Sequence, residues 1–124
     1  MSEVIQGDTV ERDYEVESGI VMLNIIVGEG QAGASVVWLD NQVIAKGDLG
    51  PVTLGPGAIL TGRVLGIRTI ALDINPMTNR TAVTYILTGG ATELDVTLTK
   101  DAPQDGAAVP YAARFPLVAK GANV

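Results

Sequence analysis

A glycine-rich stretch, VGEGQAGAS, has the G-x-G-x-x-G spacing that binds the pyrophosphate of a dinucleotide in some proteins. Its glycines are Gly28, Gly30 and Gly33. Phosphate binding at this motif needs a helix directly after the glycines, because the free N–H groups of its first turn face the anion. Here the stretch ASVVWL follows, and its β-branched residues favour a strand. We therefore predict a connection between strands and no dinucleotide cofactor.

The loop DINPMTNRT contains oxygen donors of the kind that calcium prefers, namely Asp73, Asn75 and Asn79. It does not fit the EF-hand pattern, because Met77 stands at the third ligand position and a late Glu is missing. Asn, Asp and Pro are also typical of turns with local hydrogen bonds. We favour a turn and keep a cation site at Asp73, Asn75 and Asn79 as the alternative.

Candidate catalytic groups are few, because the sequence contains no Cys and no His. Thiolate nucleophiles and imidazole bases are thereby excluded. Glu93 and Asp95 would lie about 7 Å apart on one strand, within the range of glycosidase carboxylates, but on a face that looks open and wet. Arg63 and Arg68 could each grip a carboxylate ligand, but we favour ion pairs with Asp or Glu across a sheet. We therefore predict no enzymatic activity, with a carboxylate hydrolase as a minor alternative.

The elements that position these residues read as strands. TAVTYILT and TELDVTLT alternate apolar and polar residues around TGGA and predict a hairpin. A second hairpin is expected in SVVWLDNQVIAKG, and a third between LTGRVLGIRTIALDI and TAVTYILT through NPMTNR. In the third, Ile70, Leu72 and Ile74 keep period two, but Leu65 and Ile67 lie on the opposite parity. A bulge near Arg68 or a strand apolar on both sides would reconcile the two sets. GIVMLNIIV is nearly all apolar and is expected to be buried on both faces.

These patterns predict an all-β protein with two packed sheets, Greek-key/immunoglobulin-like or jelly-roll-like, of about seven or eight short strands. Residues 13–100 would form the sandwich. Residues 1–12 would form an acidic N-terminal arm, with Glu11 and Asp13 at its end as candidate contacts for a basic partner. Residues 101–124, rich in Pro and Ala, would form an irregular extended tail. Its large residues, Tyr111, Phe115 and Leu117, would anchor it in a groove of this protein or of a neighbour.

The net charge of −6 argues against nucleic acid and anionic lipid as partners, and the longest apolar run is too short to span a bilayer. No signal peptide is visible at the N-terminus, so a cytoplasmic location is the default. We predict a non-enzymatic structural or protein-interaction module that self-associates or binds a protein partner. The alternative is a ligand-binding accessory module that holds calcium or a small glycan at the loops between strands.

Overall fold

A computed structural model describes residues 2–48 and 50–121, and most of them lie in strands. In chain order these are β1 (Ser2–Gln6), β2 (Thr9–Glu11), β3 (Tyr14–Val16), β4 (Ile20–Val27), β5 (Ala32–Leu39), β6 (Gln42–Gly47), β7 (Val52–Pro56), β8 (Val64–Leu72), β9 (Arg80–Thr88), β10 (Leu94–Asp101) and β11 (Ala108–Ala119). One helical turn, α1 (Gly57–Leu60), lies between β7 and β8. In the described part of the chain, no helix could cross a bilayer.

The strands form two mixed sheets packed face to face. The five-stranded sheet has the order β1-β10-β9-β4-β7, and the six-stranded sheet has the order β2-β11-β8-β5-β6, with β3 also paired to β11. The predicted all-β, two-sheet sandwich is thus confirmed, although the described residues form eleven strands where about seven or eight were expected.

The core between the sheets is largely aliphatic, with the buried aromatic side chains of Tyr14, Tyr85, Tyr111 and Phe115, and is supplied mainly by alternate residues of the strands. In β4, Val21, Leu23 and Ile25 are buried, whereas the residues between them are exposed or half-buried. The prediction that this strand is buried on both faces is wrong, because each strand of a two-layer sandwich buries only the face that meets the other sheet.

Two of the three predicted hairpins are confirmed. β9 and β10 pair antiparallel, with Leu87 opposite Leu94. β5 and β6 also pair antiparallel, and the turn between them places Asp40 at a φ of 54°. Asp tolerates this left-handed conformation better than most residues with a side chain.

The third hairpin is wrong, because β8 belongs to the six-stranded sheet and β9 to the five-stranded sheet. The loop NPMTNR therefore crosses between the layers. The register of β8 is continuous against both β5 and β11, so β8 has no bulge. The other alternative, a strand with apolar residues on both sides, agrees with the structure: Leu65 and Ile67 are buried, whereas Ile70 and Leu72 are 48% and 42% exposed on the outer side.

The inward positions of β8 include a polar residue. Thr69 is fully buried, and its hydroxyl lies 2.8 Å from Ser35 Oγ and 2.7 Å from Tyr85 Oη. This hydrogen-bonded trio makes a hydroxyl acceptable in the core. At this end of β8, the apolar residues alone do not identify the buried side of the strand.

The prediction of an irregular C-terminal tail is also wrong. β11 has 12 residues and lies inside the six-stranded sheet, antiparallel to β8 and parallel to β2 and β3. Two prolines are tolerated because of where their missing N–H groups would point. The N–H of Ala112 donates to the Asp8 carbonyl on the β2 side of β11. Pro110 and Pro116 lie an even number of residues from Ala112, so N–H groups at these positions would point to the same side. Pro110 precedes the pairing with β2, and Pro116 falls between β2 and β3.

The N-terminal segment also differs from the expected arm. β1 pairs with β10 in one sheet, and β2 pairs with β11 in the other. The chain crosses between the layers at Gly7 and Asp8, where the Gly7 N–H donates to Thr99 and the Asp8 carbonyl accepts from Ala112. Residues 2–11 are therefore edge strands of the sandwich.

Candidate functional site

The three residues proposed as tail anchors lie in the core of their own domain. Tyr111, Phe115 and Leu117 are at most 2% exposed. Phe115 packs edge-on against Tyr85, with ring centroids 6.3 Å apart, and the Tyr111 hydroxyl hydrogen-bonds with Thr81. The sequence left open whether these side chains pack on this protein or on a neighbour. The structure shows that they pack within this protein.

Acidic residues near the N-terminus face cations from distant parts of the chain. Glu11 pairs with Arg114 at 2.8 Å, and Asp8 pairs with Lys100 at 2.7 Å. Asp13 is exposed on the segment between β2 and β3. A contact of Glu11 and Asp13 with a basic partner stays a prediction, although Glu11 already has a basic neighbour within the chain.

The loop between β8 and β9 makes turn-type hydrogen bonds. Asn75 Oδ1 accepts from the Met77 N–H at 3.0 Å, and Asn75 Nδ2 donates to the Glu29 carbonyl. Asn79 is exposed, and its carbonyl accepts from Ala102. Among the described residues, no group of three acidic side chains comes together as a metal site.

Two residues of this region have surroundings that the sequence did not reveal: Gln31 was not singled out there, and Asp73 was named as a possible cation ligand. Gln31 uses its whole amide to hold the loop: Oε1 accepts from the N–H groups of Ile74 and Asn75, and Nε2 donates to two carbonyls. Asp73 is only 4% exposed, and neither of its carboxylate oxygens has a hydrogen-bond partner in the described structure. A Gln in a glycine-rich connection gives no sequence signal for such a role.

The glycine-rich motif occupies the connection between β4 and β5, where a strand follows and not a helix. Gly30 has a φ of 70°, and Gly33 packs so closely against Val27 that a Cβ there would lie 2.6 Å from its side chain. The glycines therefore serve a tight connection. Glu93 precedes β10, and Asp95 lies on the outward side of that strand.

The outer surface of the five-stranded sheet carries an apolar area, which we call the apolar face. Its exposed or half-buried side chains stand in register across β1, β10, β9, β4 and β7. They are Val4, Ile20, Met22, Ile26 and Ile86, interspersed with Thr53, Thr84, Thr88 and Thr97. Asp95 carries the one charge among these rows, and Arg80 and Asp101 lie at the strand ends.

The outer surface of the six-stranded sheet carries a groove of about 780 Å³. Gly66 of β8 lies opposite Trp38 of β5 on one side and opposite Arg114 of β11 on the other. Because Gly66 has no side chain, there is open space between these two residues, and a Cβ added at Gly66 would contact nothing. Trp38 is half-buried, and its indole N–H has no hydrogen-bond acceptor among the described residues. The groove is lined by Trp38, Asn41, Gly66, Arg68, Ala112 and Arg114, among others.

The charges around the groove are unevenly paired. Arg63 Nε donates to Asp40 Oδ2 at 3.0 Å, as predicted for a cross-sheet ion pair. The Val64 N–H and then this guanidinium lower the pKa of Asp40. Arg68 was also expected to form an ion pair with Asp or Glu across a sheet. It has no carboxylate partner in the described structure, so this prediction is wrong.

Comparisons with models of known families, with curated proteins and with solved structures found no match to this chain. Its function is therefore inferred from its own geometry.

Proposed function

We propose that this protein is a non-enzymatic structural module that associates with a second copy of itself through the apolar face. One observation carries the proposal: a row of apolar and Thr side chains that crosses the five-stranded sheet almost without charge. The terminal segments, which favoured self-association in the sequence, lie in the sandwich and do not support it.

Four exposed large apolar side chains, Val4, Ile20, Met22 and Ile26, lie on this face, and four others lie on β6 and β8 of the six-stranded sheet. Val4 is 66% exposed, Ile20 is 52% exposed and Ile26 is 46% exposed. Isolated exposed apolar residues are ordinary on protein surfaces, but neighbouring ones in register form a continuous patch. Covering such a patch removes apolar surface from water and favours association.

The distribution of charge favours a second copy of the chain as the partner that covers the apolar face. The chain carries a net charge of −6, so most surfaces of two copies repel each other. The apolar face contributes one carboxylate, Asp95, between its apolar rows. Association of two such faces therefore brings few like charges together.

The size of the face is adequate for a modest dimer. The five strands of this sheet have five, eight, nine, eight and five residues. With strands about 4.8 Å apart and a rise of about 3.3 Å per residue, their plan area is roughly 550 Å². Standard interfaces bury about 800 Å² per partner. We therefore expect a dimer with a dissociation constant on the order of micromolar.

Sedimentation velocity over a range of protein concentrations tests the proposal. The wild-type chain should sediment as a dimer at high concentration, and Ile26→Glu should weaken association by at least about tenfold, because the interface would bury an unpaired carboxylate. The matched control is Ile70→Glu. Ile70 is 48% exposed on β8 of the other sheet, and its substitution changes the net charge equally.

A monomer at all concentrations would contradict the proposal, as would a dimer that Ile26→Glu leaves intact. Loss of the dimer in Ile70→Glu alone would assign the contact to the six-stranded sheet. Circular dichroism of both variants checks that each is folded before the comparison is made.

The alternative function, a module that holds calcium at a loop between strands, has one supporting observation. Asp73 is buried without a hydrogen-bond partner in the described structure. Its neighbour Asn75 already uses its side-chain oxygen for the Met77 N–H. A melting temperature that rises with calcium in the wild type but not in Asp73→Val would favour this alternative, and no rise would remove it.

A further inference from the structure

We propose that the groove on the six-stranded sheet binds a small organic anion that carries a six-membered ring. The site would use Trp38 as a platform for the ring and Arg68 for the negative charge, with Lys46 two strands away from Arg68 on the same face. It is independent of the apolar face, which lies on the opposite sheet.

The pairing of charges across the molecule singles out Arg68. Six of the eight basic side chains form ion pairs with carboxylates of this acidic chain. In the described structure, the two without such a pair are Lys46 and Arg68. Both stand in one outward row, because Lys46 is opposite Val36 and Val36 is opposite Arg68. The result is a small basic area on a protein of net charge −6.

The aromatic platform is next to this basic row. Trp38 follows Val36 by two residues on β5, so its side chain is on the same face. Gly66 opposite it has no side chain, which leaves a slot between the indole ring and Arg114, two strands or about 10 Å away. A slot of this width accepts one ring, and the free indole N–H is a hydrogen-bond donor at its edge.

Each part of the ligand follows from a part of the site. The guanidinium of Arg68 presents paired N–H donors that match a carboxylate. The Trp38 ring stacks with a flat ring or with the C–H face of a sugar. Arg114, which pairs with Glu11 at 2.8 Å, stands at the far side of the slot. The groove volume of about 780 Å³ lies in the range of small-molecule sites.

The sequence provides a direct reporter, because Trp38 is the only Trp. Its fluorescence is measured while the protein is titrated with four probes: benzoate, glucuronate, acetate and glucose. Benzoate or glucuronate, which combine a ring with a carboxylate, should change the emission with saturation. Acetate lacks the ring and glucose lacks the charge, so each should bind at least about tenfold more weakly. Which of the two ring acids binds more tightly tells whether the ring is aromatic or a sugar.

Two variants locate the binding. Arg68→Gln should weaken it about tenfold or more by removing the charge-assisted hydrogen bonds. Gly66→Val should abolish it by filling the slot, and it should not lower the melting temperature, since the Cβ meets open space and Val suits a strand. The matched controls are Arg80→Gln, which removes an Arg of the other sheet, and Gly50→Ala, which adds a methyl group in a loop.

The proposal is overturned if no ring acid changes the fluorescence, or if acetate or glucose binds as tightly as the ring acids. It is also overturned if Gly66→Val binds like the wild type while remaining folded. An equal loss in Arg68→Gln and Arg80→Gln would show attraction by net charge and would likewise refute the site. None of these results depends on whether the chain forms a dimer.

Discussion

Replacement of Phe115 by Ala tests whether the C-terminal residues belong to the core of the sandwich. The Phe115 side chain is fully buried in the middle of β11, and its ring meets Tyr85 edge-on with an interplanar angle of 66°. Substitution leaves a cavity between the sheets and removes the contact between the two rings.

The expected loss follows from the size of the side chain. Phe→Ala in a well-packed core costs about 3–5 kcal/mol, which includes the unfilled cavity. Small domains are stable by about 5–15 kcal/mol, so the variant loses a large share of its stability. Arg114→Ala is the control on the adjacent position. Its side chain is exposed and pairs with Glu11, and such surface pairs contribute about 1 kcal/mol or less.

Urea unfolding followed by circular dichroism measures both variants. With a slope of about 1–3 kcal/mol per molar urea, Phe115→Ala should lower the midpoint by roughly 2 M, and Arg114→Ala by less than about 0.5 M. A loss below about 1 kcal/mol in Phe115→Ala would refute the reasoning, because it would mean that β11 packs loosely on the domain.

Two further predictions concern buried polar groups. Burial raises the pKa of Tyr85 to about 12. The unfolded chain ionises near pH 10, so its Tyr85 releases the proton first, and folding stability should fall by about 2–3 kcal/mol between pH 10 and pH 12. Urea unfolding across that range should show this fall and Tyr85→Phe should reduce it; equal slopes in both proteins would contradict the prediction. Asp73→Val should raise stability in calcium-free buffer by about 1–3 kcal/mol, because it removes a buried carboxylate that has no hydrogen-bond partner among the described residues. A less stable variant in thermal unfolding would show that the carboxylate is satisfied.

The strands with clear alternation were predictable from the sequence. In TAVTYILT and TELDVTLT the alternation correctly places Val83, Tyr85, Leu87, Val96 and Leu98 in the core, and local turn residues fix the hairpin. Such patterns depend on neighbouring residues only, which is why they can be read without a structure.

The errors arose where distant residues decide the outcome. Thr69 is inside because Ser35 and Tyr85, far away in the chain, provide hydrogen bonds. β11 accepts Pro110 and Pro116 because the pairing with β2 and β3 stops beside them. Neither condition is visible in a local pattern of residue types.

The candidate sites were even less predictable. Trp38, Gly66 and Arg68 come from two strands whose register is set by the whole sheet. The sequence identified Arg68 as a basic residue on a strand, but only the full set of ion pairs shows that it lacks a carboxylate partner in the described structure. The apolar face could not be predicted either, because it depends on which side of β4 packs against the other sheet.

The most direct test of self-association is NMR of the backbone amides as a function of protein concentration. The account predicts concentration-dependent shifts at β4, β9 and β10, centred on Ile26 and Ile86, with little change at β5 and β6. Shifts that map to the six-stranded sheet, or spectra that stay unchanged from dilute to concentrated solution, would contradict it.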